Sequence, residues 1–220
     1  MRAMILAAGK GTRLAPLTDN TPKPMLELAG KPLIEAQVMA LSQAGVTEIV
    51  INLHHLGEQI SNHLKGGAQF GVNIRYSREP ELLETGGGIV KALPLFDNEP
   101  FWLLNGDIWT DFDFRTMPRQ PNAQDLAHIV LIPTPSYRSA GDFEFADGHV
   151  TGRGDSYVYG CIAVLTPQLF ADADTAAFSL RDTYFDLIPR GKLGAQIHHG
   201  QWQDIGTVEQ YHALAATLAS

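Results

Sequence analysis

Apolar and polar residues come in blocks along this chain, and the period of the blocks changes. Residues 3–8 are apolar without a break, which predicts a strand buried on both faces. Over 32–44 the apolar residues Leu33, Ile34, Ala36, Val38, Leu41 and Ala44 recur at helical spacing, and Gly45 stops the run. The same reading predicts strands over 48–53, 72–76, 101–104, 128–133, 157–165 and 193–198, and helices over 56–65, 86–93, 180–188 and 207–218. Thr207 and Gln210 are placed as a capping box for the last helix. Asp147-Gly148 predicts the turn of a hairpin over 143–152. Strands that alternate with helices predict an α/β fold: a Rossmann-like, mostly parallel sheet with helices on both faces and an antiparallel hairpin insertion. No repeat or linker divides the chain, so a single domain over 1–220 is expected.

In open sheets of this kind, ligands bind beyond the carboxyl ends of the strands. Residues 6–14, Leu-Ala-Ala-Gly-Lys-Gly-Thr-Arg-Leu, leave the first strand at that edge. Gly9 and Gly11 lack a Cβ, so backbone amides can approach an anion there, and Arg13 offers a planar fork to phosphate oxygens. The run is neither the Gly-x-x-x-x-Gly-Lys-Ser/Thr loop nor the dinucleotide fingerprint, whose third glycine is replaced by Leu14. Further on, Lys23 is pinned between Pro22 and Pro24.

Charge adds to this picture. The chain carries −8 overall, which argues against nucleic acid as a partner, yet residues 1–31 carry +3 and the remainder −11. A positive segment on an acidic chain marks a focused anion site. With 45% hydrophobic and 18% charged residues the composition is that of a water-soluble globular protein. No apolar run reaches membrane-spanning or signal-peptide length, so a cytoplasmic protein without a membrane partner is expected. The single cysteine, Cys161, excludes an internal disulfide and reads as a buried structural thiol. Adjacent His54-His55 and His198-His199 point to opposite sides of an extended chain, so neither pair is a chelate by itself.

Taken together, Leu6-Ala-Ala-Gly-x-Gly-Thr-Arg-Leu14, Pro16, Thr18, Pro22-Lys-Pro-Met25 and Gly30-Lys-Pro32-x-Ile34 resemble the sugar-1-phosphate nucleotidyltransferase superfamily. Asn105-Gly-Asp107 and Gln201-Trp-Gln-Asp-Ile-Gly-Thr207 extend the resemblance along most of the chain. Glu84-Thr-Gly-Gly-Gly88 and Asn52-Leu-His-His55 make it closest to the branch that uridylylates N-acetylmuramic acid 1-phosphate in cell-wall recycling. The C-terminal β-helix or acetyltransferase extension that some relatives carry is not expected here. The resemblance implies that a nucleoside triphosphate, UTP favoured, reacts with a sugar 1-phosphate to give a nucleotide-sugar and pyrophosphate. It implies a nucleotide-binding part over about 1–110 and a sugar-binding part over about 111–220, in a monomer or small homo-oligomer. A mannose- or heptose-1-phosphate guanylyltransferase and a non-catalytic nucleotide-sugar sensor are the alternatives.

Both substrates are anions, so the reaction needs cations and positioning more than a base. By the family pattern Arg13 neutralises the leaving pyrophosphate and Lys23 holds the α-phosphate. Asp107 and Asp204, both near strand ends, are assigned to one Mg²⁺. Asp111 and Asp113 are expected to cap the following turn instead. The nucleotide site is expected from Ala8, Gly9, Gly11, Thr12, Arg13, Lys23, Glu79, Thr85, Gly86 and Asn105, with the side-chain role of Glu79 open and Glu84 read as a neighbour of a helix N-cap. Gly141, Asp142, Tyr159 and Gly160 occupy the sugar region, where the Tyr-Gly and Glu-Lys-Pro of thymidylyl-transferring members are missing. Arg138, Arg153 and Arg181 are the candidates to meet a sugar carboxylate.

Overall fold

A computed structural model describes residues 1–218. In chain order the elements are β1 (Arg2–Leu6), β2 (Glu27–Leu28), β3 (Lys31–Pro32), α1 (Leu33–Gln43), β4 (Glu48–Leu53), α2 (Gly57–Leu64), β5 (Asn73–Arg78), α3 (Glu84–Ala92), β6 (Phe101–Asn105), β7 (Ile108–Thr110), β8 (Ala127–Pro133), β9 (Phe143–Ala146), β10 (His149–Leu165), α4 (Leu180–Leu187), β11 (Leu193–Ile197), β12 (Trp202–Asp204) and α5 (Val208–Leu218). The main sheet runs β11-β8-β10-β6-β1-β4-β5, with β9 added to β10. β1 is parallel to β4 and β6, β4 to β5, and β8 to β11, whereas β10 is antiparallel to both β6 and β8. The expected mixture of a mostly parallel sheet and an antiparallel hairpin is therefore present.

The unbroken apolar runs are explained by burial on both faces. Ala3 and Ile5 of β1 pack with Ile34, Val38 and Leu41 of α1 and Ile60 and Leu64 of α2. Met4, pointing the other way, packs with Ile89 and Ala92 of α3 and Leu180, Tyr184 and Leu187 of α4. A third, smaller cluster of Leu14, Leu26, Leu28, Leu33, Ile205 and Leu214 fastens α5 to the segment after β1. No helix among the described residues is long and apolar enough to cross a membrane.

Several elements differ from the pattern. In α1, Ala36 is exposed and Gln37 is buried, the reverse of the apolar count. The turn at Asp147-Gly148 forms with both residues at positive φ, 50° and 83°, as a hairpin turn of that sequence requires. Beyond it, the hairpin arm and the 157–165 strand are one strand of 17 residues, β10. Its register shifts between Tyr159 and Ala163, and Cys161 takes a left-handed φ of 61° there. Cys161 is therefore half-buried at a bulge rather than sealed in a plain apolar strand. At the start of α5, Thr207 Oγ1 accepts from Gln210 N at 3.3 Å, but Gln210 Oε1 accepts from Gly206 N at 2.9 Å, one residue before the position that a capping box would use.

The amino-terminal ends of β8 and β11 lie at the sheet edge opposite to the carboxyl ends of β1, β4 and β6. Here Asp125 is buried and both its carboxylate oxygens lack a hydrogen bond. His149 Nε2 lies 3.4 Å from Asp125 Oδ1, and His128 Nε2 faces Gln196 Oε1 at 3.0 Å. Burial holds the His128 imidazole below its usual 6.5, against the opposing pull of Gln196 and Asp125. A ring that protonates less readily folded than unfolded leaves stability intact above about pH 6.5 and removes it as the pH falls. Urea midpoints are expected to drop between pH 7 and pH 5.5, and to drop less steeply in His128→Gln. Parallel curves for the two proteins would show that His128 is not the group responsible.

Candidate active site

Where β1, β4 and β6 end, an open cleft of about 370 Å³ is lined by Leu6, Ala7, Ala8, Gly9, Lys23, Pro24, Asn52, Leu82, Glu84, Thr85, Asn105, Asp107 and Ser179. Register explains the convergence, since Leu6 pairs with Asn52 on one side and with Asn105 on the other. Of the expected nucleotide residues, Ala8, Gly9, Lys23, Thr85 and Asn105 line this cleft. Gly11, Thr12 and Arg13 lie outside its lining, on the turn that follows. Gly11 takes a left-handed φ of 66°, and its carbonyl accepts from Leu14 N and Thr18 Oγ1, each at 2.8 Å. Arg13 is exposed and has no ion-pair partner among the described residues. Its guanidinium lies over Gly206, where an added Cβ would come within 3.5 Å of Nη1.

Lys23 is held by its side chain as well as by its prolines. Pro22 and Pro24 are buried on either side of it, its side chain is 11% exposed, and Nζ meets Asp107 Oδ2 at 2.6 Å. Asp107 itself sits in the turn between β6 and β7. Gly106 N donates to Leu6 O at 2.8 Å, and any Cβ at Gly106 would also meet that oxygen at 2.8 Å, so only glycine lets the turn close on β1. Gln37, from α1, holds the same turn through Nε2, which donates to Asn105 O at 3.0 Å and to Ile108 O at 2.9 Å.

Asp204 reaches this turn by a route that strand periodicity does not reveal. It ends β12, a three-residue strand paired antiparallel with β7 in which Asp204 stands opposite Ile108. Ile205 N then donates to Asp107 O at 2.9 Å. Asp204 is compensated by Tyr137 OH, which donates to Oδ1 at 3.0 Å, and by Arg138 Nη2, 3.5 Å from Oδ2. Cys161 lies within the field of all these charges. Burial first, then Asp107 and Asp204, push its thiol far above the usual range, while Arg138 and Lys23 pull the other way.

Glu79 and Gly86 are placed differently from expectation. The Glu79 carboxylate is buried and lies outside the cleft lining; Asn52 Nδ2 donates to it at 2.7 Å and Leu83 N at 3.2 Å. Asn52 Oδ1 in turn accepts from Ala7 N at 2.8 Å, so Glu79 fastens the 79–84 loop to β1 instead of facing a ligand. Gly86 is buried under Phe178, with its N–H donating to Phe178 O at 2.9 Å, and a Cβ there would strike the ring at 2.1 Å. Its absent side chain makes room for the segment before α4. Thr85 Oγ1 accepts from Leu180 N at 2.8 Å and still borders the cleft.

In the region expected to take the sugar, Asp142 stands between Arg138 and Arg181, each 3.6 Å away. Arg153 stacks over Phe185 at 4.2 Å, and Arg181 lies 5.8 Å from the same ring. Gly141 is wedged against Thr134 Oγ1 and the Asp155 backbone. The Tyr159 hydroxyl accepts from Tyr184 OH at 3.2 Å, and the Gly160 carbonyl accepts from Trp202 Nε1 at 2.8 Å. Asp113 caps the turn after it through Arg115 N, whereas Asp111 binds Gln201 N and His198. No group of three or more His, Cys, Asp or Glu among the described residues is placed to hold a metal. Residues that the pattern missed are Gln37 and Asn52, each a polar residue inside an apolar run, and Leu82 and Ser179, which stand in loops without a motif.

Gln37→Met keeps the volume of this side chain and removes its two donated bonds. It is expected to lower stability by about 2 kcal/mol, because the turn carbonyls lose a buried partner. Chemical denaturation measures the effect.

The nucleotidyl transferase family matches residues 2–143. The chain is 42% identical over 217 residues to the N-acetylmuramate alpha-1-phosphate uridylyltransferase of Neisseria meningitidis serogroup B, covering 94% of each chain. It is 32% identical over 233 residues to the protein of the same name from Caulobacter vibrioides, covering 99% of this chain and 96% of that one. In fold it is similar to a provisionally assigned glucose-1-phosphate thymidylyltransferase from Bacillus anthracis in complex with sucrose, with a TM-score of 0.86, 22% identity and coverage of 99% and 95%. HddC from Yersinia pseudotuberculosis has the same architecture, with a TM-score of 0.81, 24% identity and 98% of each chain covered. By the family match and by the likeness to the two uridylyltransferases, the chain belongs to the nucleotidyl transferases.

Proposed function

We propose that this protein is a cytoplasmic uridylyltransferase that joins UTP to N-acetylmuramic acid 1-phosphate, releases pyrophosphate and uses Mg²⁺. The near full-length likeness to two proteins of that name carries the reading. A mannose-1-phosphate guanyltransferase of Gibberella zeae is also 42% identical, but the match spans 62% of its length. N-acetylmuramic acid is a peptidoglycan sugar, so the reaction would return it to cell-wall synthesis.

An oxygen of the sugar phosphate attacks the α-phosphorus in line, and the bond from that phosphorus to the pyrophosphate oxygen breaks. The attacking oxygen is already ionised, so no side chain has to remove a proton. Lys23, fixed by its prolines at the cleft edge, holds the α-phosphate. Arg13, exposed on the next turn, takes the charge that grows on the leaving pyrophosphate. The base lies against the backbone of Ala8 and Gly9, with Thr85 and Asn105 beside it. Asp107 and Asp204 fit Mg²⁺: both offer hard oxygen donors, both are half-buried at one crevice, and their present partners are cations and a hydroxyl that an ion can replace. Bound there, Mg²⁺ would relieve the repulsion between the two phosphates.

A matrix of four nucleoside triphosphates against several sugar 1-phosphates, read as pyrophosphate release, tests the substrates. UTP with N-acetylmuramic acid 1-phosphate is expected to be fastest, and a faster reaction of GTP with mannose 1-phosphate would refute the assignment. Arg13→Ala is expected to cut turnover by about 10²-fold with an unchanged melting temperature, because Arg13 is exposed and has no ion-pair partner among the described residues. Lys23→Ala should lose both activity and stability, since it leaves the Asp107 carboxylate without its buried partner.

A further inference from the structure

Arg138 stands between the two acidic groups of the crevice. Nη2 is 3.5 Å from Asp204 Oδ2 and Nη1 is 3.6 Å from Asp142 Oδ2. Its neighbour Tyr137 donates to the remaining oxygen, Asp204 Oδ1, at 3.0 Å. Two consecutive residues of one loop thus occupy both oxygens of a single carboxylate. The loop is tied down at its ends, where Thr134 Oγ1 donates to Asp155 O at 2.8 Å and Asp142 N to Tyr157 O at 2.7 Å. Between these ties residues 136–140 are all exposed. Tyr137 is 55% exposed, so core packing does not account for where its ring sits; the bond to Asp204 does.

The other two arginines of this region are engaged elsewhere. Arg153 lies on the face of Phe185, and Arg181 is shared between Phe185 and Asp142. Of the three, Arg138 alone touches both Asp142 and Asp204. A divalent cation held by Asp204 competes with the guanidinium, because two like charges on one carboxylate repel each other at this range. The displaced guanidinium then needs another anion, and a planar fork suits a phosphate or a carboxylate. N-acetylmuramic acid 1-phosphate carries one of each.

We propose that Tyr137 and Arg138 form a latch on Asp204, that a divalent cation opens it, and that the released Arg138 is the specificity residue that meets an anionic group of the sugar phosphate. This rests on the proposed uridylyl transfer. Coupling of this kind is reciprocal: the cation improves acceptor binding by the factor by which the acceptor improves cation binding.

Mn²⁺, titrated into the full chain without substrates and followed by electron paramagnetic resonance, tests the latch directly. Arg138→Gln is expected to bind Mn²⁺ about tenfold more tightly. Tyr137→Phe carries no charge change and is expected to bind it about threefold more tightly, through loss of one hydrogen bond. Arg153→Gln removes a neighbouring cation that does not touch Asp204, and its Mn²⁺ affinity should stay at the wild-type value. Steady-state kinetics give the second readout: Arg138→Gln should raise KM for the sugar phosphate about tenfold and leave KM for UTP unchanged, with partial recovery in Arg138→Lys. Wild-type Mn²⁺ affinity in both Arg138→Gln and Tyr137→Phe, together with loss of binding in Asp204→Asn, overturns the latch and leaves the proposed function standing. Mn²⁺ binding that survives both Asp107→Asn and Asp204→Asn overturns the metal site, and the latch with it.

Discussion

Two aspartates on adjoining backbone at one edge of the sheet set the terms for everything around them. The three-residue ladder between β7 and β12 brings the backbones of Asp107 and Asp204 together, and the negative charge gathered there is met by nearby groups. Lys23 meets it from the segment after β1, and Tyr137 and Arg138 meet it from the loop after β8. Supporting parts of the chain follow from the same requirement. Gln37 is buried in α1 because the turn that carries Asp107 exposes two carbonyls to it, and Gly106 lacks a side chain because that turn closes on β1. Even the thiol of Cys161, whose affinity for a proton is raised first by burial, registers the two aspartates as a second cause.

The sheet, its two layers of helices and the edge at which a ligand would sit were legible in the sequence, because long apolar runs have few other ways to be buried. Ala3, Met4 and Ile5 alternate between two cores, which an unbroken run implies. The strands of two or three residues were not legible. β2, β3, β7 and β12 are too short to show a period, although the last two carry the convergence of Asp107 and Asp204. Burial of charged residues was missed as well. Lys23 and Glu79 look like surface residues in a list of letters, and only the partners supplied by Asp107, Asn52 and the Leu83 amide account for their positions. Gly86 matched a ligand-loop motif, yet its missing side chain serves a contact with Phe178, 92 positions further on, that no local pattern encodes.

The far ends of the chain meet at the same place. Leu14, Leu26 and Leu28 share a cluster with Ile205 and Leu214, Tyr211 OH donates to Glu27 O at 2.8 Å, and Arg13 lies over Gly206. The turn that bears Arg13 is thus braced by the last helix as well as by β1. Loosening of α5 would be felt at Arg13 before it was felt in the main cores, since those clusters contain no residue of that helix.

β10 runs for 17 residues without spanning the molecule, because it doubles back. His149 near its start pairs with Gly194 of β11, Gly194 pairs with His128 of β8, and His128 pairs with Val164 near the end of β10. The reversal falls where the register against β9 slips, between Gly152 and Tyr157. One continuous stretch of chain thus stitches both flanks of the β8–β11 pair, and a tug on either of those strands is shared by the two arms of a single clasp.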